Sequence, residues 1–213
     1  MEKHIAIIAD LKESRAVLDR GTAQENILET LKKINKKYED VITSKFIVSS
    51  GDSFQGLLRN GTQTMNIIME FDLELYPLKI RYGIGIGEID TDIYKDNSNF
   101  VDGKAYHMAR SSLDAVKKSE DSKEKVITNI KVSKEGEELL LINSLLSLLS
   151  ILKNNWTENQ VQVINKYVEK NYEQVSTADE LNRNQSTISR SLEKSNFYSF
   201  KNSVDTLNIS IEN

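Results

Sequence analysis

The sequence predicts an α+β protein: a ferredoxin-like βαββαβ palm-type domain followed by an all-α, winged helix-turn-helix domain. Three observations lead there. Short runs rich in Ile, Val, Phe and Tyr alternate with amphipathic helical patterns over the first 130 residues. After Lys131 the strand signal stops. From 156 to 201 the pattern is helical throughout.

HIAIIAD (4–10) is the first predicted strand. TAQENILETLKKINKKYED (22–40) then places Ile27, Leu28, Leu31, Ile34 and Tyr38 on one helical face. KFIVSS (45–50) and FQGLL (54–58) are strands joined through Gly51 and Asp52. A glycine that tolerates positive φ beside an Asp is turn chemistry. NGTQTMNIIMEFDLEL (60–75) brings Met65, Ile68, Met69 and Leu73 into helical register.

KIRYGIGIGE (79–88) is a strand whose Gly83, Gly85 and Gly87 share one face. Glycine weakens a strand, so such a row marks a close approach, of a helix or of a nucleotide. It is not the dinucleotide fingerprint, whose glycines are spaced differently and precede a helix. GKAYHMARSSLDAVKKSE (103–120) is a helix packing through Ala105, Met108, Ala109, Leu113 and Val116, and KVITNI (125–130) is the last strand. A βαββαβ core folds as an antiparallel sheet with two helices on one face. The end of the first strand and the second-to-third hairpin then share one sheet edge, where Asp10 and Asp52 face one another.

The organisation is therefore a palm domain over 1–132, an apolar connecting or dimer helix over 133–155, and a helix-turn-helix domain over 156–213. Within 139–153 the polar residues Asn143, Ser144, Ser147, Ser150 and Lys153 recur at helical spacing, which leaves most of the circumference apolar. WTENQVQVINKYVEKN (156–171) opens with Thr157 and Gln160, a capping box. TADELNRN (177–184) and QSTISRSLEKS (185–195) form a helix-turn-helix pattern. Ala178, Leu181, Ile188 and Leu192 are its packing positions; Gln185, Ser186, Thr187, Ser189 and Arg190 are the exposed, DNA-facing ones.

Composition narrows the chemistry. Hydrophobic residues make up 38% and charged residues 28% of the 213, the balance of a soluble globular protein. With no Cys, disulfides, thiolate metal sites and a Cys nucleophile are excluded, and His4 and His107 are too few for a histidine-rich metal site. Met1 runs directly into HIAIIADL without a signal-peptide pattern, so a cytoplasmic protein is expected. The most apolar run, LLLINSLLSLLSIL, is too short to cross a bilayer. Residues 153–213 carry seven Lys or Arg against eight Asp or Glu, a net of −1 and a poor footprint for DNA. Between 183 and 201, however, four basic residues stand against Glu193 alone.

The candidate chemistry gathers at the strand ends. A carboxylate closing a buried strand (Asp10) and a second on a neighbouring turn (Asp52) is how palm-type enzymes hold divalent cations against a triphosphate. Mg²⁺ or Mn²⁺ suits such oxygen ligands. Lys12, Arg15 and Arg20 follow Asp10 and either meet phosphates or pair with Glu13 and Asp19. His107 and Arg110 lie one turn apart on a helix, and an Arg fork suits phosphate.

IIADLKESRAVLDR, SSGDSFQGLL, IRYGIGIGE and VDGKAYHMAR resemble the SatD family of bacterial proteins, over the whole chain. More distantly, the first 130 residues resemble class III nucleotide cyclase and GGDEF palm domains. That resemblance implies metal ligands at Asp10 and Asp52, a phosphate-adjacent turn at Gly51, and a transition-state segment at GKAYHMAR. It also implies a nucleoside triphosphate as ligand and a homodimer, since cyclase-type sites are commonly shared between subunits. The sequence departs from it in three ways: His107 stands at the transition-state Asn, Arg110 is one residue out of register, and Val48 replaces a base-reading Lys. Such a pattern implies a nucleotide-binding sensor, or an enzyme of altered substrate, coupled to a helix-turn-helix. The alternative is a DNA-binding regulator whose palm fold is an inactive dimerisation scaffold.

Overall fold

The computed structural model describes residues 2–12, 20–122, 127–137 and 139–212. The order is β1 (His4–Leu11), α1 (Arg20–Lys37), β2 (Ile42–Ser50), β3 (Ser53–Leu58), α2 (Thr64–Glu74), β4 (Ile80–Gly87), α3 (Lys104–Glu120), β5 (Ile130–Lys134), then α4 (Leu140–Asn154), α5 (Glu158–Glu169), α6 (Gln174–Glu180), α7 (Gln185–Lys194) and α8 (Phe197–Glu212). The sheet runs β2-β3-β1-β4-β5. Its first four strands pair antiparallel, and β5 adds on parallel to β4.

Strand alternation assigns the two faces. Ile5, Ile7, Ala9 and Leu11 join the core under α1 and α2, whereas Ala6 and Ile8 join Ala105, Ala109 and Leu113 of α3 on the opposite face. The expected pair of helices on one face is present, and α3 covers the other. Of the predicted α1 face, Ile27, Leu31 and Ile34 are buried, while Leu28 falls at the margin and is exposed.

The glycine row has a definite partner. A Cβ at Gly83 would lie 2.0 Å from the Ala109 carbonyl oxygen, and one at Gly85 would lie 2.0 Å from that of Ala105. The close approach is that of helix α3. Only a strand without side chains on that face lets the helix backbone sit so near.

The last strand is displaced from its expected place. Residues 125 and 126 lie outside the described residues, and β5 is Ile130–Lys134, in register with Tyr82–Ile86. Thr128 and Asn129 precede it, and their side chains bond to main-chain groups of Ile130 and Ile80.

Helix α2 explains how the C-terminal helices attach. It is buried on nearly every side (Met65, Ile67, Ile68, Met69, Phe71 and Leu73) because the sheet lies beneath it and α5 and α8 lie above. Its first turn is closed from afar: Asn208 Oδ1 accepts from the Met65 N–H at 2.8 Å, and Glu212 accepts from the Gly61 N–H at 2.5 Å. One apolar cluster runs from the sheet through α2 into α5, α7 and α8. Thr157 and Gln160 form the expected capping box. No strand follows β5 among the described residues, so there is no wing; the apolar spacing of Phe197, Phe200, Val204, Leu207 and Ile211 makes α8 instead.

Candidate functional site

Asp10, next to last in β1, lies opposite Ser53 on one side and Arg81 on the other. Its carboxylate accepts from Ser53 Oγ at 3.1 Å and from the Arg81 guanidinium at 3.1 Å, and Lys117 Nζ stands 3.1 Å away. Arg81 also clasps Glu120 through two nitrogens, at 3.2 and 2.7 Å, and Lys12 Nζ reaches Glu120 at 3.3 Å. Bonding to Arg81 holds the Glu120 carboxyl below the usual range, against the opposing effect of partial burial. The same bonds raise the Arg81 guanidinium further.

The turn beside this cluster is built as the sequence implies. Gly51 sits at φ 59°, with open space where a Cβ would stand. Asp52 follows and directly precedes Ser53, the cross-strand partner of Asp10. Asp52 has no ion-pair partner among the described residues. Asp10 and Asp52 therefore share one sheet edge, offset by one residue of register.

Asp10, Ser53 and Asp52 would be the ligands of a divalent ion here. As placed, they do not fit a two-metal centre. Asp10 already has its charge matched by Arg81 and Lys117, and among the described residues no group of three or more His, Cys, Asp or Glu gathers to hold a metal. No chemical step is assigned to a metal on this arrangement.

The remaining candidates lie apart. His107 Nε2 and an Arg110 nitrogen approach Asp102 at 3.6 and 3.5 Å, and both side chains are more than half exposed. They occupy the start of α3, which packs on Gly85 and Gly87, whereas Lys117 beside Asp10 is near its end. The helical rise separates His107 from Lys117 by roughly 15 Å. Within one chain, His107 and Arg110 do not join Asp10. Lys12 lies at the Asp10 edge; Arg15 lies outside the described residues. Val48 is half-buried on β2.

In the helical half, α6 and α7 are joined by the four residues Leu181–Asn184. Ala178, Ile188 and Leu192 are buried and Leu181 packs against them, as their spacing implies. Gln185, Ser186 and Arg190 are exposed, Thr187 and Ser189 half-buried. The local positive charge is partly spent within the chain. Lys201 pairs with Asp205, Arg183 keeps its charge but is tied to the neutral Asn159 and Gln162 amides, and Arg190 and Lys194 are the cations of α7.

Sequence reasoning missed the partners: Arg81, Lys117 and Glu120 around Asp10, and a second pair, Asp72 with Lys153. Burial pushes the Asp72 carboxyl up, outweighing the pull of the Lys153 ammonium and the Tyr82 hydroxyl that bond to it. A signal was present. Arg81 and Asp72 each interrupt an apolar run, and a charge inside such a run needs a partner.

These features define an α+β half with a five-stranded mixed sheet and a charged strand edge, fused to a helical half through one core. The chain belongs to the SatD family, whose model matches residues 4–205. Among solved structures, it is 14% identical to the dimeric guanylyl cyclase domain of the RhoGC fusion protein from the aquatic fungus Blastocladiella emersonii, covering 53% of this chain and 73% of that one at a TM-score of 0.38. It is 15% identical to the guanylate cyclase domain of RhGC from Catenaria anguillulae in complex with GTP, covering 53% and 72% at a TM-score of 0.35. No curated protein matches. No helix among the described residues is long and apolar enough to cross a membrane.

Proposed function

We propose that the protein is a nucleotide-responsive regulator: its palm half binds a nucleoside triphosphate at the Asp10–Asp52 edge, and its helical half carries the response. The observation that carries this reading is the cluster of Asp10, Arg81, Lys117, Glu120 and Lys12 beside the Gly51–Asp52 turn. Arg81, Lys117 and Lys12 beside one open turn suit a polyphosphate, whose oxygens would take their donors in exchange for Asp10 and Glu120. With Asp10 neutralised by two cations and His107 and Arg110 at the far end of α3, binding is favoured over cyclase turnover. A Mg²⁺ or Mn²⁺ ion held by Asp10 and Asp52, and a homodimer bringing the partner's α3 to the site, belong to the enzymatic version of this reading.

The response passes through α2 to α5 and α8, then to α7, which packs on both, and to α6, which packs on α5 and α7. A second reading, DNA binding by α7, is favoured by one observation: Gln185, Ser186 and Arg190 stand exposed on one helix whose opposite side, Ile188 and Leu192, is buried.

Calorimetric titration of each nucleoside triphosphate, with and without Mg²⁺, into the wild type and Asp52→Ala tests the proposal. Binding is expected for at least one of the four. Heats at the level of buffer for all four, under both conditions, would contradict it. Unchanged nucleotide after long incubation with Mn²⁺ would remove the enzymatic version alone.

A further inference from the structure

A cleft of about 410 Å³ opens where the two halves meet, and it shares Lys12, Arg81 and Glu120 with the Asp10–Asp52 edge. Its walls come from the α2–β4 connection, the start of β4, the end of α3, the residues before β5, and the α4–α5 joint. The volume falls in the range of small-molecule sites, and junctions between packed units are where such sites concentrate.

The lining has two distinct sides. One is apolar: Leu73, Leu78, Ile127, Trp156 and Val161, with Tyr76 and Pro77 at the rim. The other is ionic, with Lys12, Lys79, Arg81 and Lys153 against only Asp72 and Glu120. Lys153 is matched to Asp72, Arg81 to Glu120 and to Asp10 behind it, and Lys12 to Glu120. Lys79 has no ion-pair partner among the described residues and is exposed at the mouth. The cleft therefore holds a positive excess facing a flat apolar wall. A cation would meet four like charges there. A neutral apolar molecule would leave the ionic side without compensation as water is displaced.

We propose that this cleft is a binding site for a small organic anion with an aromatic or apolar body, its acidic group against Lys79, Lys153 and Arg81 and its body against Trp156. Such a ligand touches β4 and α3 on one side and α4 and α5 on the other, so it fastens the two halves together. The inference rests on Lys79, Lys153 and Trp156, which the reading of the Asp10–Asp52 edge does not use.

The molecule supplies its own reporter, because Trp156 is the only tryptophan of the chain. The probe is anilinonaphthalene sulfonate, read by energy transfer from Trp156, with N-phenylnaphthylamine as the same body lacking the sulfonate. The expected result is saturable transfer for the sulfonate and a Kd at least tenfold weaker for the amine. Lys79→Glu, a change at an exposed and unpaired side chain, is expected to weaken the sulfonate about fivefold. Leu148→Gln, on the exposed apolar face of α4, is expected to leave it unchanged. Equal affinity for both probes would overturn the anion preference. Signal lost in Leu148→Gln but kept in Lys79→Glu would move binding to the α4 surface and overturn the site itself.

Discussion

Replacing Gly85 with alanine puts the packing of α3 on the sheet to the test. The new methyl carbon would stand 2.0 Å from the Ala105 carbonyl oxygen, 2.4 Å from the Ala109 nitrogen and 2.8 Å from the Met108 Cβ. Ordinary contact is about 3.5 Å or more, so the helix must withdraw by roughly 1.5 Å or the strand must bend. Two of the three obstacles are main chain and cannot rotate aside. Overpacking of this kind costs about 3 kcal/mol, and removing a glycine from a strand returns only about 0.5–1 kcal/mol. The net loss expected is about 2 kcal/mol, a fall in Tm of roughly 5 °C for a chain of this size. Urea denaturation followed by far-ultraviolet circular dichroism reads it directly. Gly51→Ala is the companion, with open space around its Cβ and only the left-handed backbone, φ 59°, to oppose it; it should lose about 1 kcal/mol. If Gly85→Ala matches the wild type within about 0.5 kcal/mol, α3 does not press on the sheet there. The close approach would then have to be that of a ligand.

Other consequences are as definite. Asn208→Ala removes the acceptor for the Met65 N–H and should cost about 1–2 kcal/mol while leaving a single unfolding transition; two separated transitions would show that α8 is not part of the same cooperative unit. Glu120 is held below its ordinary value of 4.5 by Arg81, so its contribution is fully present above that value and drains as pH falls through the folded-state one. Glu120→Gln should therefore lose stability at pH 7 and show a shallower acid limb; an unchanged limb would mean that the pair does not act in solution. Arg190→Ala should weaken any DNA binding and flatten its salt dependence, and a gel shift indifferent to the substitution would remove α7 from the interface.

Much of the architecture was legible because it rests on periodicity. β1, the β2–β3 hairpin, β4 and α1 to α3 follow from alternation and apolar spacing, and so do the Ile188 and Leu192 anchors of α7. β5 was misplaced by several residues because KVITNI is as rich in β-formers as the true strand, and only pairing with β4 chooses between them. The wing failed on a different point. Phe197, Phe200, Val204 and Leu207 carry a clear helical spacing, which leaves no stretch for the strands of a wing. At the candidate site, Asp10 and Asp52 could be brought to one edge from topology alone. The partners of Asp10 could not, since Arg81 and Lys117 come from a strand and a helix whose relative position depends on how closely Gly83 and Gly85 admit α3. Asp72 with Lys153 is a tertiary pairing across the two halves, which no local pattern encodes.

The central claim is that occupancy at the Asp10–Asp52 edge is felt in α6 and α7, through α2 and the helices packed on it. Hydrogen–deuterium exchange with and without each nucleoside triphosphate, in the presence of Mn²⁺, tests this most directly. The account predicts that one nucleotide alters exchange both in the hairpin Val48–Leu58 and in Gln174–Lys194. A nucleotide that protects the hairpin while leaving α6 and α7 untouched would contradict the coupling, and no change in either segment with any nucleotide would contradict the site as well.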